Sequence, residues 1–225
     1  MATAKQQVQE YFKCKNDPIY FCEHYVQLEL PGGNELFVLY EPQKKVLMSL
    51  IHDHHIISLK SRQVGISTLT QAFVCYTFTF YKNVVVGIIS RSGDEATDFC
   101  RKVMTMIRYL PDWMRPKFDK ETEQTFILDN GCKFYAAPVN EAKPQSIFRG
   151  KAITIAIIDE AAHIAKIDEA YTGYGPTLFK SQSVAKKKNV PYGTIIISTP
   201  NKTVGMGKWY YDQWKNANDK SIDGL

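Results

Sequence analysis

Lys60-Ser61-Arg62-Gln63-Val64-Gly65-Ile66-Ser67-Thr68 is the stretch of this 225-residue chain whose residue types promise the most chemistry. It gathers a glycine, hydroxyls and two cations in one short loop. Between a strand and a helix, such a loop suits phosphate. Successive backbone N–H groups and a helix N-terminus face the anion, one flexible cation neutralises it, and a hydroxyl holds Mg²⁺. The standard pattern is G-x-x-x-x-G-K-[ST]. Gly65 and Ser67 fit its second glycine and its hydroxyl, but Ile66 stands in the lysine position and Lys60 in that of the first glycine. Lys60 opens the same loop, and its long stem can reach the phosphates from the other side. Arg62 can add charge near a γ-phosphate. A plain strand-to-helix turn with scattered basic side chains is the competing reading of these residues taken alone.

The second signal is Ile155-Ala-Ile-Ile-Asp159-Glu160-Ala-Ala-His163. Four apolar residues followed by two carboxylates put those carboxylates at the end of a buried strand. Asp159 would hold Mg²⁺ through water, and Glu160 would orient and deprotonate an attacking water. A solvated acidic turn is the alternative, and the phosphate-type loop upstream weakens it. Ser198-Thr199-Pro200 closes a third apolar strand. Its hydroxyls can contact a γ-phosphate or the attacking water, or simply form a turn.

These residues need a scaffold, and the hydrophobic pattern supplies one. Residues 55–59, 83–90, 152–158 and 194–198 read as buried strands. Residues 68–80 and 94–109 read as helices, the second with Phe99, Val103, Met106, Ile107 and Leu110 on its buried side and Pro111 as its stop. Residues 124–128 and 133–136 flank Asn130-Gly131, a hairpin signal. Residues 8–12, 19–26 and 43–51 read as short helices, with a turn at Leu30-Pro-Gly-Gly. Strands alternating with helices predict an α/β fold, a mostly parallel sheet with helices on both faces. Functional loops then lie at the carboxyl ends of the strands, after Leu59, Ser90, Ile158 and Ile197.

Composition narrows the class. Hydrophobic residues make up 44% and charged residues 23%, which suits a folded globular protein and neither disorder nor a fibre. No apolar run is long enough for a membrane span, and the polar N-terminus shows no secretory signal. The five cysteines form no Cys-x-x-Cys pair and read as reduced core thiols. The net charge of +5 permits a polyanion partner without demanding one.

Taken together, the set resembles the large terminase subunit of tailed bacteriophages. The resemblance is carried by Asp17-Pro-Ile-Tyr-Phe-Cys-Glu-His-Tyr, Leu39-Tyr-Glu-Pro-Gln43, the Lys60 loop, Phe148-Arg149-Gly150, Ile157-Ile-Asp-Glu-Ala-Ala-His-Ile and Ile197-Ser-Thr-Pro-Asn, in that order. It implies a P-loop NTPase (RecA/ASCE-like) core over residues 51–215, behind a small N-terminal helical region over 1–50. Residues 216–225 would begin a linker, and the family's nuclease domain would be absent from the chain. The resemblance further implies that Tyr40 and Gln43 read adenine. It allows Lys60 to act as the loop lysine, with Arg149 as an arginine finger reaching a neighbouring subunit's ATP and Arg62 as the competing finger. Ser198-Thr199-Pro200 would couple hydrolysis to DNA movement. The implied cofactors are ATP and Mg²⁺. The implied partners are double-stranded viral DNA, the portal protein, the small terminase subunit and further copies in a ring, in the host cytoplasm and with no membrane.

Two other readings share these residues. One is the first core domain of a superfamily 2-type helicase. The other is a degenerate, non-catalytic DNA-binding module, motivated by Ile66. His52-Asp53-His54-His55 reads as a polar linker leading into the strand and not as a metal site, since no further ligand set is placed by sequence. Lys186-Lys187-Lys188 reads as a solvated loop that can touch a DNA backbone. Trp209, Tyr210, Tyr211 and Trp214 read as packing at helical spacing.

Overall fold

The computed structural model describes residues 3–222, with side chains as far as 218. Thr3 caps α1 (Ala4–Asn16) through a reciprocal pair with Gln6, and Asp17 caps α2 (Pro18–Tyr25), which has Pro18 in its first turn. A two-stranded ribbon follows, β1 (Gln27–Leu30) and β2 (Gly33–Leu36), and then α3 (Glu41–His52). The alternating part comprises β3 (His55–Leu59), α4 (Ile66–Phe80), β4 (Val85–Ser90) and α5 (Gly93–Arg108). Next come β5 (Phe118–Glu121), β6 (Thr125–Leu128), β7 (Lys133–Pro138) and β8 (Ile155–Asp159). The chain closes with α6 (Ile167–Lys187), β9 (Gly193–Ser198) and α7 (Lys208–Ile222).

Seven strands form one sheet in the order β3-β9-β8-β4-β7-β6-β5. The pairings from β3 to β7 are parallel, and β6 and β5 add an antiparallel edge. The α/β expectation therefore holds, with helices on both faces. Successive strand residues point to opposite faces, and β8 shows the consequence. Ile155 and Ile157 join a core with α1 to α5, whereas Ala156 and Ile158 join a second core with Tyr174, Leu178 and Tyr210 from α6 and α7. Burying each such isoleucine contributes about 1.5–3 kcal/mol. The N-terminal helices add Phe21, Cys22, Leu47 and Leu50 to the first of these cores.

Several elements were not visible to hydrophobic periodicity. β1 and β2 flank the expected turn as a short exposed ribbon, and β5 is a charged edge strand. α6 was missed because Gly173, Gly175 and Pro176 interrupt its pattern. Gly173 has a packing reason, since a Cβ there would lie 2.4 Å from that of Gln145. The strand expected at 152–158 begins only at Ile155, because Thr154 is spent holding the neighbouring strand through both Val85 backbone groups. α7 runs to Ile222, so most of the stretch expected to open a linker is helical. Residues 223–225 of that stretch lie outside the described residues.

Other expectations concern side chains. All five cysteines are free and buried. Tyr210 is buried, and Trp209 packs against Tyr171 at 5.3 Å, as packing requires; Tyr211 and Trp214 are more exposed. His54 stacks on Tyr192 at 3.9 Å. Among the described residues no helix is long and apolar enough to cross a membrane.

Candidate functional site

Parallel strands β3, β9, β8 and β4 present their carboxyl ends side by side, and the loop from β3 to α4 folds over them. Gly65, at φ 72°, turns the chain into α4. Only a residue without a Cβ adopts this conformation freely. A Cβ there would also meet Gln43 Nε2 at 2.7 Å. Gly65→Ala is expected to lower the unfolding free energy by about 1–2 kcal/mol in urea titration. An unchanged midpoint would contradict that strain.

Gln43 explains the crowding. It is buried, its Nε2 donates to the Val64 carbonyl at 3.1 Å, and its Oε1 accepts from the Tyr40 N–H at 3.0 Å. It braces the loop from below, while Tyr40 is 75% exposed. Ile66, in the usual lysine position, is buried in the core and anchors the first turn of α4.

Lys60 takes the electrostatic centre of the loop. Its Nζ donates to Ser67 Oγ at 3.2 Å and to Glu160 Oε1 at 2.8 Å, and lies 3.9 Å from Asp159. Ser67 Oγ donates to Asp159 Oδ1 at 3.2 Å. Two motifs far apart in sequence thus converge on one ammonium group. Arg62 and Gln63 line the adjoining cavity of about 380 Å³, with Glu160, His163 and Thr199 on its other side. Ser61 and Thr68 complete the loop without a side-chain bond to this cluster among the described residues.

Glu160 is held unusually well. Its backbone is left-handed at φ 55°, a strain of about 1–2 kcal/mol for a residue with a Cβ. Its Oε2 accepts from the Thr199 N–H at 3.0 Å and from the Thr199 hydroxyl at 2.7 Å. Burial raises the pKa of this carboxyl, but the Lys60 and Thr199 hydrogen bonds outweigh burial and hold it below the usual value. Glu160 is therefore ionised at neutral pH. Its contribution to stability is present above the ordinary carboxylate range and is lost as pH falls through the lowered pKa.

Asp159 behaves in the opposite way. Burial raises its pKa, and Lys60 and Ser67 only partly offset this. The folded state then takes up that proton more readily than the unfolded chain. The charge costs stability above the folded pKa, and the cost disappears as pH falls through it. Asp159→Asn is expected to raise the urea midpoint of the nucleotide-free protein at neutral pH. A lower midpoint there would contradict the sign.

The Ser198 hydroxyl accepts from the Ala162 N–H at 3.0 Å and donates to the Thr199 carbonyl at 2.9 Å. Asn201 adds a bond to the Ala162 carbonyl at 2.7 Å. These bonds lock the β9 end to the turn after Glu160. Of the three residues expected to couple, Thr199 therefore touches Glu160, Ser198 is fully buried structure, and Pro200 is exposed. Arg149 is not brought to this cavity. It precedes β8 beside Gly150 and Lys151, which line a different cavity with Val85 and Thr154 at the amino ends of the strands.

A family model described as "Terminase large subunit, T4likevirus-type, N-terminal" matches residues 57–222. The chain belongs to the terminase large-subunit family. The HK97 bacteriophage large terminase superposes on this terminase domain with a TM-score of 0.65 at 14% identity, over 91% of this chain and 42% of that one. The large terminase of a thermophilic bacteriophage gives 0.56 at 12% identity, over 78% of this chain and 43% of that one. The Thermus phage P74-26 large terminase ATPase domain gives 0.50 at 17% identity, over 74% of this chain and 67% of that one. At these identities the likeness establishes the fold, a RecA/ASCE-like core. The chain spans less than half the length of the HK97 protein.

Three lining residues of the terminase cavity were not assigned in the sequence: Arg91, Glu95 and His163. His163 Nε2 lies 3.0 Å from the Thr199 hydroxyl. A signal for Arg91 existed, because it directly follows Ser90, one of the strand ends where chemistry was expected.

Proposed function

We propose that this terminase domain hydrolyses ATP and uses the energy to translocate double-stranded viral DNA into a procapsid. The observation that supports this best is the Lys60 ammonium, bonded to both Ser67 and Glu160 and so placed where the two motifs meet. Lys60 replaces the missing lysine of the standard loop from the loop's other end. This position of Lys60 weighs against the non-catalytic reading that Ile66 motivated.

The Lys60 to Thr68 loop and the N-terminus of α4 cradle the phosphates. Tyr40, exposed beside the loop, offers a ring on which adenine stacks, and Gln43 holds the loop in shape beneath it. The Ser67 hydroxyl and the Asp159 carboxylate are the hard oxygen donors that suit Mg²⁺. Mg²⁺, when bound, neutralises developing charge on the phosphates. Lys60 exchanges Glu160 for phosphate on nucleotide entry. This frees the ionised Glu160 to orient the attacking water and take its proton. Arg62 lines the cavity and stabilises charge on the terminal phosphate. Arg149, exposed at the far end of the sheet, serves a neighbouring copy's ATP in a ring assembled on the portal protein. The small terminase subunit is a further partner, and the assembly works in the host cytoplasm. Thr199 senses the Glu160 carboxylate and passes its state to β9, the route from hydrolysis to DNA movement.

Phosphate release measured across a wide range of protein concentration tests the arrangement. The expected specific activity is low in dilute solution and rises as copies assemble, and Arg149→Ala removes that rise. Specific activity that is constant with concentration and unaffected by Arg149→Ala would overturn a finger supplied between copies.

A further inference from the structure

We infer that Arg91 is a further catalytic residue, an arginine of the same chain that leaves Glu95 to contact the terminal phosphate of bound nucleotide. The inference rests on the nucleotide reading above. The register of β4 against β8 pairs Ile89 with Ile158, so Arg91, two residues on, comes level with Glu160. Its side chain lines the same cavity as Lys60, Arg62, Glu160 and Thr199.

Two of the cations around this cavity are paired with carboxylates. Lys60 is bonded to Glu160 at 2.8 Å, and Arg91 to Glu95 at 2.5 Å. Each carboxylate occupies a cation that an incoming polyphosphate needs. Glu95 sits in the first turn of α5, four residues beyond Arg91. The Arg91 and Glu95 side chains are 58% and 38% exposed, and an exposed pair of this kind contributes little to stability. Stability therefore gives no reason for an arginine at the cavity wall. A doubly charged terminal phosphate takes a guanidinium through two parallel N–H bonds. Here only one guanidinium nitrogen is bonded to Glu95. The phosphate thus offers Arg91 a stronger contact than the carboxylate that holds it. Glu95 competes with a terminal phosphate for Arg91, and the phosphate makes the stronger contact.

Titration calorimetry of the full chain with ATPγS and with ADP, both with Mg²⁺, tests this. Wild type is expected to prefer ATPγS. Arg91→Ala loses about tenfold of that preference, the size of one charged hydrogen bond, while its ADP affinity stays unchanged and shows that the site is folded. Glu95→Gln frees the guanidinium and strengthens ATPγS binding alone, and Arg91→Lys restores only part of the preference. An Arg91→Ala protein with the wild-type preference would overturn the inference. So would equal weakening of both nucleotides, which would make Arg91 a diffuse charge. A wild type that binds ADP but does not distinguish ATPγS overturns the inference alone, whereas a wild type that binds neither overturns the nucleotide reading as well.

Discussion

Glu160→Gln is expected to cut ATP turnover by about 10²–10⁴-fold while leaving nucleotide binding intact. The amide keeps the shape of the side chain and can still accept from the Thr199 N–H and hydroxyl, which now bond Oε2 at 3.0 and 2.7 Å. It cannot take a proton from water. It also gives up the ion pair with Lys60, so the ammonium no longer has to be won from a carboxylate before it meets phosphate. ATP should therefore bind at least as tightly as in wild type. Phosphate release and equilibrium binding, measured on the same preparation, check both parts. Loss of binding together with turnover would make Glu160 a structural residue instead of the base.

Lys60→Ala is expected to act on the other side of the same pair and to remove binding itself. The ammonium is the only lysine or arginine group bonded to the Ser67, Asp159 and Glu160 cluster among the described residues. One charged hydrogen bond contributes about 1.5–3 kcal/mol, so ATP affinity should fall by at least about tenfold. A second substitution makes the expectation sharper. Adding Ile66→Lys puts a lysine in the usual position, but Ile66 is buried in the core at the first turn of α4. A lysine there is desolvated and gives up the core contacts of Ile66. The double variant should bind no better than Lys60→Ala and should unfold at lower urea. Recovery of ATP affinity would show that the loop can accept its lysine at either end.

The sheet and the two motif loops were legible because their signals are local. Apolar runs such as 155–158, isoleucine-rich and short, read as buried strands, and the carboxylates that follow them then lie at a strand end. The hairpin around Asn130-Gly131 was legible for the same reason. What escaped depends on contacts made across the fold. α6 carries Gly173 because the turn around Gln145 packs against it, and no pattern within the helix announces that. β5 is charged because it is an edge, and edge strands carry charge to discourage pairing with other chains. Within the site, Lys60 was assigned from its place in the loop, but its bond to Glu160 needed the fold. Gln43 shows the limit of a motif most clearly. The motif names the residue, and only its burial beneath Val64 shows that it supports the loop.

Phosphate release from ATP·Mg²⁺ by wild type, Glu160→Gln and Lys60→Ala, side by side in one buffer, tests the central claim most directly. Steady turnover by wild type and near-background release by both variants is the predicted result. Wild-type rates in both variants would contradict the assignment of hydrolysis to this site.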